Sequence, residues 1–189
     1  MALRTTSIIA TSLLMASMFA ACGPGEETAD PQSGGQEQHP TSKPATDYGS
    51  REEAGEYLKA IEPFIQGIGT IQASVDKVLG SSGKGTGENL APAATAARDQ
   101  LNQLLEEFNA VQPPPLLAPF HRDIKKLIAL RLEAYAATIE GWEFEQRGGD
   151  FRGRYDLAQN NYKEANEVIL QLNEEVAEIH QAVQGAPGS

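Results

Sequence analysis

From residue 50 to residue 184 apolar side chains recur at alternating steps of three and four, the spacing of helices that bury one face. In the first segment Ala54, Leu58, Ile61, Ile65, Ile68, Gln72, Val75 and Leu79 trace a seam. Tyr57, Phe64, Ile71 and Val78 widen it into a core-facing stripe. Ser50 and Glu53 stand at capping-box spacing ahead of it. Pro63 predicts a kink, Gly67 and Gly69 weaken the helix further, and the glycine-rich stretch 80–87 ends it. The glycine spacing in that stretch does not match a phosphate loop, so it reads as a flexible connection. The second segment puts Ala94, Ala97, Leu101, Leu104, Phe108 and Val111 on one face, opening near Pro92 and closing at Pro113-Pro114-Pro115. The third carries Leu117, Phe120, Ile124, Ile128, Leu132, Tyr135, Ile139 and Trp142, and Gly148-Gly149 terminates it. Asp150 is the expected N-cap of the fourth. There Phe151, Tyr155, Ala158, Tyr162, Ala165, Ile169, Leu172, Val176, Ile179 and Val183 continue without a gap to Gln184.

Four long amphipathic segments joined by short connections predict an all-α, antiparallel up-down-up-down four-helix bundle over 50–184, with a disordered tail at 185–189. Roughly 135 residues are enough to close one core. No β period is visible. Were Pro63 and the following glycines to split the first helix, the alternative is a pair of less regularly stacked helical hairpins.

The chain ahead of the bundle follows a different pattern. Arg4 is the only charge before Glu26, and 7–21 is apolar or small throughout. As a helix that run spans roughly 22 Å, short of a bilayer's hydrocarbon core of about 30 Å, so it reads as a targeting segment. Phe19-Ala20-Ala21-Cys22 resembles the lipobox of bacterial lipoproteins, with Phe19 where Leu is usual. The resemblance covers 1–22 alone. It implies a signal peptide at 1–21 and a diacylglyceryl-modified Cys22 as the first residue of the mature chain. Gly23 after that cysteine resembles the class sorted to an outer membrane, if the cell has one; otherwise the outer face of the cell membrane is the expected location. With the lipidated Cys22 at its head, 22–49 is rich in Gly, Pro, Gln and Glu, has Tyr48 as its only large apolar residue, and reads as a disordered tether.

Charge and composition narrow the partners. Fifteen Lys and Arg against 26 Asp and Glu give a net charge of −11, which becomes −12 when Arg4 leaves with the signal peptide. Such a field repels phosphate backbones, so no nucleic-acid partner is expected. A single cysteine excludes intrachain disulfides, CxxC redox pairs and CxxCH haem attachment. Met1, Met15 and Met18 all lie in the signal peptide, so a mature chain has no methionine for axial haem ligation.

The ferritin-type Glu-x-x-His pattern is absent, since Ala118 precedes His121 and Ala177 precedes His180 by three. Antiparallel third and fourth helices could bring His121 and His180 together as a metal pair, but the expectation is two helix-end histidines and no metal or other cofactor. His39 falls in the tether without companion ligands. The domain lacks a Gly-x-Ser-x-Gly elbow and any cysteine, and most carboxylates fall outside the stripes, so no enzyme is expected. The hairpin between the third and fourth segments is the most distinctive stretch: Trp142, Phe144, Arg147, Phe151, Arg152, Arg154 and Tyr155 interleave aromatics with charge and form a candidate partner-binding tip. Arg152 and Arg154 oppose the dipole of the helix they open, and Glu143 or Glu145 is the expected compensation. Gln72, Arg131 and Thr138 on or beside the stripes read as register or boundary residues.

These features point to a non-enzymatic cell-envelope lipoprotein: a monomeric helical bundle tethered to a membrane through a lipid anchor, binding or scaffolding an envelope protein. The rival is a small-molecule or metal-binding carrier or sensor. A large apolar pocket favours the rival, and an exposed apolar patch without a cavity favours the scaffold.

Overall fold

A computed structural model describes residues 45–81 and 87–185. The segments read from the sequence as a signal peptide, a lipidated Cys22 and a tether up to residue 44, and the tail from 186, lie outside the described residues. Four helices follow one another as α1 (Arg51–Ser81), α2 (Gly87–Phe108), α3 (Ala118–Gln146) and α4 (Arg152–Gln184), forming an all-α four-helix bundle. Phe64 of α1 meets Phe108 at the far end of α2, Phe108 stacks on His121 in the first turn of α3, and Glu140 near the end of α3 pairs with Arg154 in the first turn of α4, so each helix runs antiparallel to the next. Among the described residues no helix is long and apolar enough to cross a membrane.

The stripes read from the sequence form the core. Ile61, Val75, Leu101, Phe108, Leu117, Ile124, Ile128, Tyr135 and Ile179 are its largest fully enclosed side chains. Helix α3 buries more than its predicted stripe, adding His121, Leu127, Leu130, Arg131, Ala134, Ala137 and Thr138, because it packs against both α2 and α4. Pro63 and Pro92 sit inside helices and break neither. Both are exposed, as are Lys59 and Glu88 four residues earlier, so the carbonyls left without a partner face water. Gly67 admits a close approach to α2: a Cβ there would fall 2.5 Å from Leu104 Cδ1.

Several boundaries differ from the sequence reading. Helix α2 opens at Gly87, five residues before Pro92, and ends at Phe108, short of the triple proline. Short-range hydrogen bonds from Asn109, Ala110 and Val111 and a 3-10 turn at Pro115–Leu117 carry the chain into α3. The described structure includes a hairpin ahead of α1: β1 (Ala45–Thr46) pairs antiparallel with β2 (Gly49–Ser50), a turn stapled by Thr46 Oγ1 donating to the Gly49 carbonyl at 2.9 Å, so residues 45–49 of the expected tether take regular structure. Tyr48 packs on the core and donates to Glu178 Oε2 at 3.0 Å. Two residues per strand are too few to leave a period in the sequence.

The caps are local chemistry. Ser50 Oγ accepts from the Glu53 N–H at 3.1 Å and donates to its carboxylate at 2.8 Å. Gly148 takes φ +70° after α3, the Gly149 N–H reaches the Phe144 carbonyl at 2.8 Å, and the Gly148 N–H reaches that of Glu145 at 3.0 Å, a Schellman ending. Phe151, not Asp150, holds the N-cap position of α4; Asp150 Oδ1 accepts from the Arg152 N–H at 3.2 Å.

Candidate functional site

Helices α1 and α4 touch at one end, where a Cβ on Gly55 would lie 3.4 Å from Val183 Cγ1. They part further along. From Ile65 to Leu79 of α1 they border a cleft of about 770 Å³, floored by α3 and reaching Leu90 of α2. Its length is about 20 Å at 1.5 Å per residue. Towards one end the walls are Ile65, Ile68, Phe120, Leu127, Leu172 and Val176. Towards the other lie Leu79, Leu90, Tyr155 and Ala158. Pockets that enclose small ligands run to about 300–1,000 Å³ and are mostly apolar with a few convergent polar groups, and this cleft has both properties.

The polar groups converge at its middle. Arg131 is 3% exposed, and its Nη2 donates to Asn166 Oδ1 at 2.7 Å. The guanidinium carbon lies 5.2 Å from the centre of the Tyr162 ring, a cation–π arrangement. Arg131 Nε is enclosed and has no hydrogen-bond partner among the described residues. Tyr135 donates to Gln72 Oε1 at 3.4 Å, and Gln72 Nε2 donates to Asp76 Oδ1 at 2.7 Å. Burial raises the Tyr135 hydroxyl to about 12 and raises Tyr162 further, so both remain phenols at neutral pH. Burial also lowers Arg131 from its ordinary value. Thr138 lines the same space, with its hydroxyl donated to the Ala134 carbonyl at 2.8 Å.

Gln72, Arg131 and Thr138, taken from the sequence as register or boundary residues, are thus brought together in one cleft. Arg131 carried a visible signal: it falls at three- and four-residue spacing from Ile128 and Tyr135, a charge inside an apolar stripe. The cleft itself left no such mark, because it arises from the divergence of two helices far apart in sequence.

The candidate tip gathers at the end of the bundle away from Ala45. Trp142 and Tyr155 pack over Gly87, where a Cβ would fall 2.6 Å from Trp142 Cε3. Tyr155 donates to Glu145 Oε2 at 2.9 Å, is raised to about 12 by burial and then by that bond, and meets the edge of Phe151 at 5.7 Å. Phe144 is exposed beneath Arg147 and Arg154, at 5.2 and 5.9 Å from its ring centre. Arg154 pairs with Glu140 at 3.0 Å, and Arg147 with Glu143 at 3.7 Å, so neither Glu143 nor Glu145 is the partner of Arg154. Arg152 is exposed. Tyr155 alone of the seven also lines the cleft.

The two histidines do not form a pair. His121 is buried, shares a 3.0 Å hydrogen bond between its Nδ1 and the Tyr57 hydroxyl, and stacks on Phe108 at 4.3 Å. Burial first and Lys125 second hold it below its ordinary value of 6.5. His180 is exposed on α4. Among the described residues no three potential ligands cluster as a metal site. A smaller hollow of about 330 Å³ lies over the exposed Lys126–Glu164 ion pair and is lined mainly by charged and amide side chains.

No known protein family, no curated protein and no solved structure is significantly similar to this chain.

Proposed function

We propose that this protein is a non-enzymatic, lipid-anchored cell-envelope protein whose helical bundle binds a small apolar or amphipathic molecule between α1 and α4. The cleft carries the reading. A void of about 770 Å³ bordered by Ile, Leu, Val and aromatic side chains leaves apolar surface without packing partners, and a ligand of matching shape would restore them. The large exposed apolar side chains favour this over a scaffold. Leu157 and Leu170 lie about 20 Å apart along α4, and Leu116 in the turn ahead of α3 and Phe144 in the last turn of α3 stand at opposite ends of that helix, so each of these pairs is separated and makes no continuous docking face. The polar side chains of the cleft are amides, hydroxyls, the Asp76 carboxylate and one guanidinium, several of them hydrogen-bonded to one another, an arrangement suited to orienting a ligand.

A neutral apolar fluorophore, phenylnaphthylamine, tests the cleft. Saturable binding with enhanced emission is expected, weakened by Ala73→Trp, which puts bulk into the cleft from α1 while circular dichroism stays helical. Failure to bind, or binding indifferent to that substitution, refutes it. The anchor rests on the lipobox resemblance and is tested separately. Replacing Cys22 with Ala should move the protein out of the membrane fraction, and mature wild-type protein without acyl mass would refute the anchor.

A further inference from the structure

Among the described residues Arg131 is the one cationic side chain lining the cleft, and Asp76 is the one anionic side chain. A guanidinium keeps its proton, so its charge cannot be relieved by titration and is costly to enclose without a counter-ion. Among the described residues Arg131 forms no ion pair. Its neighbours are an amide oxygen at 2.7 Å and the face of Tyr162, and its Nε lacks any partner. Asp76 acts on it only from beyond ion-pair distance and is held by Gln72 at 2.7 Å. The guanidinium therefore carries donor capacity that no acceptor among the described residues fills, and a ligand reaches the enclosed Nε by a small shift of the side chains around it. From the level of Gln72 the walls towards Phe120 and Val176 are mostly apolar for about 10 Å along α1, with Gln66, Thr70 and Asn173 as the polar side chains and none of them charged.

We infer that the ligand of this cleft is an anionic amphiphile: a carboxylate on a medium-length hydrocarbon chain, its head against Arg131 and its tail laid towards Phe120 and Val176. This rests on the cleft-binding reading and adds the charge and polarity of what enters. A bidentate carboxylate matches the planar fork. The net charge of −11 works against anions at the surface, but screening over about 8–10 Å confines that penalty, whereas the contact with Arg131 forms at a side chain only 3% exposed, where screening by water and salt is weaker.

The test uses the chain from residue 22 onward with Cys22→Ser, which retains every described residue. It is loaded with phenylnaphthylamine and challenged below their micellar concentrations with decanoate, decanol and decylammonium. Decanoate should displace the probe at a concentration lower by about tenfold or more than decanol, the range of one charge-assisted hydrogen bond, and decylammonium should do no better than decanol. Arg131→Met should keep probe binding and erase the advantage of decanoate, and Asp76→Asn should enlarge it. Equal displacement by decanoate and decanol, or preference for decylammonium, overturns the anionic ligand and leaves the cleft reading intact. Absence of probe binding in the parent chain defeats the cleft reading first. Should Arg131→Met fail to fold, the ligand series on the parent chain and on Asp76→Asn still decides.

Discussion

His121 and Arg131 lie on the same helix, ten residues or about 15 Å apart, and are almost equally enclosed at 6% and 3% exposure. Their surroundings differ in one respect that matters. His121 sits where α1, α2 and α3 close on one another, flat against Phe108, with its Nδ1 bonded to Tyr57. It can shed its charge, and burial together with Lys125 favours that form. Arg131 sits where α1 and α4 part, cannot shed its charge, and has an enclosed nitrogen without a partner among the described residues. Burial of a polar group is therefore no sign of function in itself. A buried charge that neither neutralises nor finds its acceptor marks a place where stability has been given up, and such places are candidates for binding.

The contrast can be broken in several ways. The largest effect is expected on the closed side. Phe108→Ala removes a ring with no exposed surface that packs on both His121 and Phe64, and should lower unfolding free energy in urea by about 3–5 kcal/mol. A loss under about 1 kcal/mol would mean that this side is not the compact one. On the open side the sign should reverse: Arg131→Met, read by thermal denaturation without ligand, should be neutral or stabilising by roughly 1 kcal/mol, because a costly buried charge is replaced by an apolar side chain of similar length. Several kcal/mol of destabilisation would make Arg131 a structural residue and dissolve the distinction.

A smaller effect concerns protons. Because His121 has a folded-state pKa below 6.5, the unfolded chain takes up that proton first as pH falls. Stability from the neutral ring is complete above 6.5 and declines as pH drops through 6.5 towards the lower folded value. The urea midpoint should therefore fall more between about pH 7.5 and 5.5 in the parent chain than in His121→Gln. Burial, and then Asp123 and Glu178, raise Glu175, which acts in the opposite sense but is common to both chains. Equal slopes would show that His121 is not the titrating group. Least of all should follow from Arg154→Ala. Its ion pair with Glu140 is half exposed and worth about 0–1 kcal/mol, and neither probe binding nor the pH slope should change.

Much of this architecture is visible in the chain before folding, and particular residues say why. The stripes of α1 and α4, the Ser50–Glu53 cap and the Gly148 ending depend on neighbours within a few residues, so local spacing carries them. The opening of α2 at Gly87 is not of that kind. Pro92 is a strong local signal for a helix start, yet Gly87 lies under Trp142 and Tyr155, and that packing accompanies a start one turn and more ahead of it. Tyr48 likewise gains its place from Glu178, which lies 130 residues away. Arg154 chooses Glu140 over the nearer Glu143 and Glu145, which are engaged by Arg147 and Tyr155.

What the sequence by itself determined is the number of the helices, their order and the central stripe that each buries, because a 3.6-residue repeat is a property of the chain next to itself. Its composition likewise sets the acidic charge and removes disulfide chemistry. Only the tertiary structure decided that α1 and α4 meet at Gly55 and separate beyond it, and that Gln72, Arg131 and Thr138 face one shared space. No local pattern records that separation, because the width of a gap belongs to two helices at once.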